Sequence, residues 1–227
     1  MIVIFGGTTE GREIADALAS SGEQVLVSVT SEYAKALLPA DIPCHVGRLD
    51  KEQMMTFLNR QKPDRVIDAT HPFAILAREN IHACCEMLCL PLDRIERPMQ
   101  TASWHDAVEW VEDSRAAAAA LAKTSGPILL TTGSKTIREY VSVPVERLWV
   151  RILPTHAALD LCLNAGLPAS HIIAMQGPFT DALNAAMYDM LGVSVMVTKD
   201  SGAAGGVDEK IIPALARGIH VIVIRRP

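Results

Sequence analysis

Short runs of β-branched and aliphatic residues alternate with longer amphipathic stretches along almost the whole chain. The first half predicts strands at residues 2–5, 24–29, 43–46, 65–69 and 92–96. The stretches between them predict helices near 11–20, 31–38, 51–60 and 74–88. Because parallel strands need a crossover connection of about a dozen residues or more, this alternation predicts right-handed βαβ units and a parallel sheet.

The same pattern begins again in the second half. It predicts strands at residues 128–132, 147–152, 171–174, 193–198 and 220–224, with helices near 107–123, 157–164, 180–191 and 209–217. Residues 97–105 contain Pro98, are largely polar and lack periodicity, which is typical of a linker. We therefore expect two α/β domains, residues 1–97 and 98–227, each with a mainly parallel sheet of about five strands flanked by helices.

Composition and charge narrow the range of partners. Hydrophobic residues make up 49% of the chain and aromatic residues only 4%, which suits an aliphatic core around buried parallel strands. A net charge of −5 argues against a general nucleic-acid binder, which needs a basic face. The start of the chain has no basic leader, and no run reaches the ~18 apolar residues of a membrane span. We expect a cytoplasmic protein with no membrane segment, as a monomer or small homo-oligomer.

The five cysteines are an odd number, and three of them fall within one predicted helix, as Cys84, Cys85 and Cys89. This favours reduced thiols over a disulfide framework. His82 precedes them, so a metal site is worth weighing, but structural zinc needs four ligands and the sequence has no second cluster. We expect small apolar core cysteines and no metal site.

In open parallel sheets, ligands bind at the carboxyl ends of the strands near the point where the strand order reverses. The first predicted strand is followed by Gly6-Gly7-Thr8-Thr9-Glu10-Gly11-Arg12. This loop matches neither the dinucleotide fingerprint nor the P-loop. Its glycines nevertheless let backbone N–H groups approach a phosphate at a helix N-terminus, with two threonines and an arginine as further donors. An ordinary tight turn is the alternative that this loop alone leaves open.

The second predicted strand ends at Thr30 and Ser31, where an NAD-selective enzyme usually has an acidic residue. Hydroxyl groups can donate to a 2′-phosphate, so these residues favour NADPH, with NADH as the alternative. A surface loop in which Ser31 caps a helix would have the same sequence.

The fourth predicted strand contains Asp68, an acid in an otherwise apolar buried segment that needs a partner. Thr70-His71-Pro72-Phe73 follows it, and His71 suits carboxylate binding or proton donation near neutral pH. The alternative is that His71 caps the next helix, with Pro72 in its first turn.

In the second half, Thr132-Gly133-Ser134-Lys135 and Lys199-Asp200-Ser201-Gly202 follow two predicted strands. The second of these loops is similar to mobile anion-binding loops, although a plain flexible loop has the same composition.

These strand-end segments together resemble the precorrin-6A reductase family of cobalamin biosynthesis. The matching segments are residues 6–12, 70–74, 96–98, 131–135, 151–154, 175–179, 198–210 and 223–227, and they span nearly the whole chain. The resemblance implies that NADPH reduces a ring double bond of precorrin-6A, or of its cobalt form, to give precorrin-6B. It also implies two Rossmann-like domains with a ligand cleft between them. Met99 and Gln100 depart from the aromatic residue expected after the Glu96-Arg97-Pro98 motif.

The resemblance also assigns site residues. The implied cofactor ligands are Gly6, Gly7, Thr8, Thr9, Glu10, Gly11, Arg12, Thr30, Ser31, Thr70, Pro72, Phe73, Thr132, Gly133, Ser134 and Lys135. The implied substrate is an anionic tetrapyrrole with many carboxylates, so we expect its ligands among residues that mostly lie at or near strand ends, namely Arg48, Arg78, Arg151, Asp200, Ser201 and Gly202. His71 and Lys199 are the candidate catalytic residues, as donors of the proton that accompanies hydride transfer, although water could also supply it. Any cobalt belongs to the substrate.

Two other functions are weighed against this one. A short NADP-dependent reductase of a smaller substrate would carry a Tyr-x-x-x-Lys pair, but neither Tyr33, Tyr140 nor Tyr188 has a lysine four residues later. A non-catalytic nucleotide-sensing module usually adds an effector segment, for which a chain of 227 residues leaves little room.

Overall fold

Residues 1–95 form a five-stranded parallel sheet in the computed structural model, in the strand order β3-β2-β1-β4-β5. The strands are β1 (Ile2–Phe5), β2 (Val25–Val29), β3 (Cys44–Val46), β4 (Arg65–Asp68) and β5 (Leu92–Arg94). The helices are α1 (Thr9–Ser20), α2 (Glu32–Lys35), α3 (Lys51–Gln61) and α4 (Ile75–Met87). Val3 and Ile4 in the central strand are fully buried on opposite faces, because helices cover both sides of the sheet.

The second half forms a six-stranded parallel sheet in the order β6-β11-β10-β7-β8-β9. Its strands are β6 (Glu109–Val111), β7 (Ile128–Leu130), β8 (Leu148–Ile152), β9 (Ile172–Ala174), β10 (Val195–Lys199) and β11 (His220–Ile224). Its helices are α5 (Ser114–Leu121), α6 (His156–Leu163), α7 (Asp181–Leu191) and α8 (Asp208–Leu215), with a 3₁₀ segment at Ser134–Tyr140.

The structure describes residues 1–95, 103–202 and 205–227, and the chain divides into two units, Met1–Arg97 and Pro98–Pro227. Most of the predicted linker at residues 97–105 lies outside the described residues, as do the 96–98 motif, Met99 and Gln100. Within the described ranges, no helix is long and apolar enough to cross a membrane.

The predicted fold class, two α/β domains with parallel sheets flanked by helices, is confirmed. The single long helix predicted at 107–123 is wrong, because its first part is the edge strand β6, which pairs with β11 and gives this sheet a sixth strand. Asp113 then accepts a hydrogen bond from the backbone N–H of Ala116 at 2.8 Å and starts α5 there. Helix α2 is also shorter than predicted, ending at Lys35.

Each sheet has one position where the strand order reverses, between β1 and β4 in the first and between β7 and β10 in the second. We call these the first and second switch points. The loops after these four strands contain most of the residues that the sequence predicts for the site, so the two switch points are described in turn.

Candidate functional site

At the first switch point, hydrogen bonds tie the loop after β1 to the neighbouring strand ends. The backbone N–H of Gly6 donates to the carbonyl of Ser28 at 2.9 Å, and Ala69 donates to Phe5 at 2.9 Å. The buried Thr8 hydroxyl donates to the carbonyl of Ala69 at 2.9 Å. Strand ends and loop are therefore held as one unit before any ligand binds.

The two ends of this loop use glycine for different physical reasons. Gly7 has a φ of 115°, in the region that favours glycine, and a Cβ there would meet nothing within 4 Å. A Cβ on the buried Gly11 would lie 3.2 Å from the Cβ of Ala69, so glycine lets α1 start against β4. Thr8 caps that helix by accepting from the N–H of Gly11 at 3.1 Å.

Arg12 folds back over the first turn of α1, where its Nη2 donates to the hydroxyl of Thr9 at 3.0 Å. The loop therefore presents an open backbone at Gly7, a helix N-terminus and a half-buried guanidinium. These are the groups that hold phosphate in nucleotide-binding folds, so the residues present fit the phosphates of a nicotinamide nucleotide.

Asp68 has the partner that its burial requires. Its carboxylate accepts a hydrogen bond from the guanidinium of Arg94 on β5. The other carboxylate oxygen accepts from the backbone N–H of Thr70 at 2.9 Å and from the Thr70 hydroxyl at 2.7 Å. Asp68 thus fixes the start of the loop after β4, and the Thr70 hydroxyl already has an acceptor.

His71 is exposed, and its Nδ1 accepts a hydrogen bond from the N–H of Phe73 at 3.2 Å. The alternative in which His71 caps the next helix with Pro72 in the first turn is wrong. That helix begins at Ile75, and its N-cap residue, Ala74, has no side-chain hydrogen bond. Phe73 and Pro72 are half-buried in the turn before it.

Thr30 and Ser31 are both exposed after β2. The hydroxyl of Ser31 accepts a hydrogen bond from the backbone N–H of Ala34 at 3.2 Å. Ser31 therefore caps α2, which is the alternative that the sequence left open for this residue. Thr30 stands at the position where an NAD-selective enzyme usually carries an acid.

At the second switch point, the loop after β7 is tied to β10, and two lysines lie near each other. Thr131 donates from its backbone N–H and from its hydroxyl to the carbonyl of Val197, at 2.8 and 3.1 Å. Gly133, with a φ of 81°, leads into the 3₁₀ segment that carries the exposed Lys135. Burial lowers the pKa of Lys199, and the nearby charge of Lys135 lowers it further.

The buried Thr132 accepts a hydrogen bond from the hydroxyl of Thr136 at 3.4 Å, while Ser134 is half-buried. Ser201 is buried, and its N–H donates to the carbonyl of Lys199 at 2.8 Å. Gly202 follows with a φ of 71°.

Asp200 is held by Arg226, which was not predicted as a site residue. The guanidinium of Arg226 donates to the carbonyl of Asp200 at 3.0 Å and to its carboxylate at 3.2 Å. Both side chains are mostly buried, at 15% and 16% exposure. Arg226 lies in the segment at 223–227, one of those that resemble the family, and this resemblance is the signal that could have identified it.

Arg151 lies in β8 and is 6% exposed. Its Nη1 donates to Oδ1 of Asn184 at 2.6 Å, and its guanidinium carbon lies 4.1 Å from the centroid of the Phe179 ring. Burial lowers the pKa of Arg151 to about 10. Asn184 was not predicted as a site residue. A signal was available, because Asn184 lies on the same buried face of α7 as Met187 and Tyr188, and a buried polar side chain needs a hydrogen-bond partner.

The remaining predicted arginines differ in exposure. Arg48 is exposed in the loop after β3, and Arg78 is half-buried in the first turn of α4. Cys84 and Cys85 pack in the core of the first sheet, as predicted, but the same prediction is wrong for Cys89, which is exposed beyond the end of α4. Among the residues that the structure describes, no three His, Cys, Asp or Glu side chains are grouped closely enough to hold a metal ion.

A parallel sheet with a glycine-rich loop and a helix N-terminus at its switch point is typical of nucleotide-binding enzymes of the Rossmann-like class. The family model described as precorrin-6x reductase CbiJ/CobK matches residues 1–227. The cobalt-precorrin-6A reductase of Priestia megaterium is 38% identical over 232 residues, covering 100% of this chain and 91% of the relative. The precorrin-6A reductase of Rhodobacter capsulatus is 29% identical, covering 100% and 88%.

A solved structure titled CobK precorrin-6A reductase superposes with a TM-score of 0.83 at 29% identity, covering 100% of this chain and 88% of that one. The chain therefore belongs to the precorrin-6x reductase family, which confirms the resemblance. It is an oxidoreductase of cobalamin biosynthesis that acts on a CH–CH bond and uses a nicotinamide cofactor. Membership favours this function over the smaller-substrate reductase and the nucleotide sensor.

Proposed function

We propose that this protein reduces a ring double bond of precorrin-6A, or of cobalt-precorrin-6A, to the corresponding precorrin-6B. The observation that carries the proposal is the match of the family model to residues 1–227, together with full-chain similarity to reductases of both names. The relatives named cobalt-precorrin-6A reductase include the one that is 38% identical, which favours the cobalt-containing macrocycle.

The nucleotide binds through the loop at residues 6–12 in this proposal. Gly7 brings its backbone to the phosphates, and Thr9 and Arg12 complete the set of donors around the N-terminus of α1. A bound nicotinamide nucleotide supplies the hydride. The hydroxyl of Thr30, in place of an acidic residue, favours NADPH over NADH. The assignment of Thr132, Gly133, Ser134 and Lys135 to the cofactor stays a prediction.

Proton delivery falls to Lys199 in this proposal, with His71 as the alternative. Because burial and Lys135 lower the pKa of Lys199, its ammonium group releases a proton more readily than an exposed lysine would. His71 is exposed and already accepts a hydrogen bond through Nδ1, which leaves Nε2 as its proton donor.

The macrocycle carries several carboxylates, so arginines are its natural ligands. Arg48, Arg78 and Arg151 are the proposed substrate ligands, along with the loop at residues 200–202. In that loop the Asp200 carboxylate is paired with Arg226, so Ser201 and Gly202 are the better candidates for direct contact. The cytoplasmic location, the oligomeric state and the ligand cleft stay predictions.

Anaerobic incubation with each macrocycle tests this function. The macrocycle spectrum and nucleotide oxidation are followed together, with NADPH and NADH in separate reactions and heat-denatured protein as control. We expect stoichiometric oxidation of NADPH with cobalt-precorrin-6A. If no macrocycle is reduced and no nucleotide is oxidised with either donor, the proposal is wrong.

A further inference from the structure

Arg151 is a buried cation whose hydrogen-bonding capacity is only partly used. Arg151 is only 6% exposed, yet among its guanidinium nitrogens only Nη1 donates a hydrogen bond to the described residues, to Asn184 and weakly to the sulfur of Met187. Nε and Nη2 donate to none of the residues that the structure describes. No carboxylate of the described chain pairs with this guanidinium either.

A buried arginine in this state is costly. Removing a charge from water is unfavourable, and a carboxylate partner normally offsets this cost. Burial is the main cause of the lowered pKa of Arg151, and no carboxylate of the described residues acts against it. The fold therefore holds a guanidinium whose compensating anion does not come from the described residues.

The contacts of Arg151 also fix where an anion can bind. The Phe179 ring covers one face of the guanidinium at 4.1 Å, and Asn184 occupies Nη1. Nε and Nη2 lie along one edge of the planar group, which is the edge that binds a carboxylate with two parallel hydrogen bonds.

Asn184 holds that arrangement in place. It is fully buried, and while Oδ1 accepts from Arg151, its Nδ2 donates to the carbonyls of Thr180 at 3.1 Å and Glu209 at 2.8 Å. A weaker hydrogen bond reaches the carbonyl of Phe179 at 3.4 Å. One amide thus joins β8, the segment that carries Phe179, the first turn of α7 and the first turn of α8.

We propose that Arg151, positioned by Asn184 and faced by Phe179, binds one carboxylate of the macrocyclic substrate through Nε and Nη2. This inference rests on the proposed function and assigns one substrate contact within it. Arg151 is the binding residue, and Asn184 acts through it as a positioning residue.

Three variants of the full chain test the proposal. Arg151→Lys keeps the positive charge but removes the two parallel N–H donors. Asn184→Asp places a carboxylate beside Arg151, which then competes with the carboxylate of the substrate. Tyr188→Phe is the matched control. Tyr188 lies one turn along α7 from Asn184 and is also fully buried. Its hydroxyl donates to the backbone carbonyl of Lys210 in α8, but it makes no hydrogen bond to Arg151. KM for cobalt-precorrin-6A and for NADPH, macrocycle binding at equilibrium and the free energy of unfolding are measured for each.

We expect Arg151→Lys and Asn184→Asp to raise KM and Kd for the macrocycle by about 10- to 100-fold, the loss expected for a charge-assisted pair of hydrogen bonds. KM for NADPH stays within about twofold, and Tyr188→Phe leaves both KM values within about twofold. If Arg151→Lys does not fold, Asn184→Asp decides the question on the same measurements.

The proposal is overturned if macrocycle affinity in these variants matches that of Tyr188→Phe, or if KM for NADPH rises as much as KM for the macrocycle. A wild-type protein that reduces neither macrocycle would instead remove the proposed function itself, before any variant is compared.

Discussion

Each switch point is secured by an aspartate–arginine pair, but the two pairs differ in burial and in what they hold. Asp68 lies inside β4, is 2% exposed, and joins Arg94 to the turn at Thr70. Asp200 follows β10 and is 16% exposed, and Arg226 binds both its carboxylate and its carbonyl. The first pair stabilises the sheet edge, whereas the second mainly holds a loop.

The loops at the two switch points also differ in their charged groups. The loop at residues 6–12 offers backbone N–H groups and one arginine, which suits the compact charge of a phosphate. The second switch point instead brings Lys199 near Lys135, and Arg151 lies in β8, which pairs with β7. Lys199 and Arg151 therefore suit the roles proposed for them, which are proton donation and the binding of one substrate carboxylate.

The largest effect should come from Asp68→Ala. Removing one partner of a buried ion pair leaves Arg94 and the Thr70 turn without their acceptor, so we expect a loss of about 3–5 kcal/mol in the free energy of unfolding. Chemical denaturation measures it. Asp93→Ala is the control, because Asp93 forms an exposed pair with Arg65 on the same sheet edge. Asp93→Ala should change the free energy of unfolding by less than about 1 kcal/mol. Equal losses in the two variants would contradict the claim that the buried Asp68–Arg94 pair contributes more to stability than the exposed Asp93–Arg65 pair.

Gly11→Val tests the close approach of α1 to β4. Since even a Cβ would lie 3.2 Å from the side chain of Ala69, a valine should cost about 3 kcal/mol of stability and weaken nucleotide binding. Ala17→Val, on the exposed face of the same helix, is the matched control for β-branching. Unchanged nucleotide affinity in a folded Gly11→Val protein would remove this loop from the nucleotide site.

Arg226→Ala should be milder, because the pair with Asp200 is only partly buried. We expect a loss of about 1–2 kcal/mol in the free energy of unfolding, between the values for exposed and buried pairs. The turnover rate should fall more than stability alone explains, because Asp200 directly follows Lys199. Arg226→Lys serves as the conservative control, and a turnover rate unchanged in both variants would show that the loop needs no such restraint.

The smallest effect is a shift in pH dependence. If Lys199 donates the proton, turnover falls on the alkaline side as its ammonium group deprotonates. The Lys135 charge lowers the pKa of Lys199, so Lys135→Gln raises that pKa and moves the alkaline limb of kcat to higher pH. Lys123→Gln, in an exposed turn elsewhere in this unit, should leave the limb in place. A limb that does not move in Lys135→Gln removes Lys199 as the donor.

Strand and helix positions were largely predictable from the sequence because the sheets are buried on both faces. The apolar runs at Ile2–Phe5 and His220–Ile224 were predicted with the same bounds that the structure shows. The failure at β6 (Glu109–Val111) has a physical cause. Glu109 is exposed on an edge strand, so the segment shows little of the apolar signal that buried strands carry, and the alanines after Asp113 extended the helix pattern over it.

The candidate site residues were predicted mainly from positions at or after strand ends, and their roles stay predictions. The glycine loop and Lys199 were found in that way. Asn184 lies inside a helix and Arg226 follows the last strand, so their roles depend on contacts with residues 33 and 26 positions away in the chain. Spacing along the sequence does not reveal such contacts.

The central claim is that the loop at residues 6–12 binds the nucleotide, and equilibrium titration with NADPH in the absence of macrocycle tests it most directly. Arg12→Glu should weaken NADPH binding by about tenfold or more, since it places a negative charge beside the phosphates, while Arg151→Lys should bind NADPH as the wild type does. Wild-type affinity in Arg12→Glu, combined with a loss in Arg151→Lys, would contradict the account.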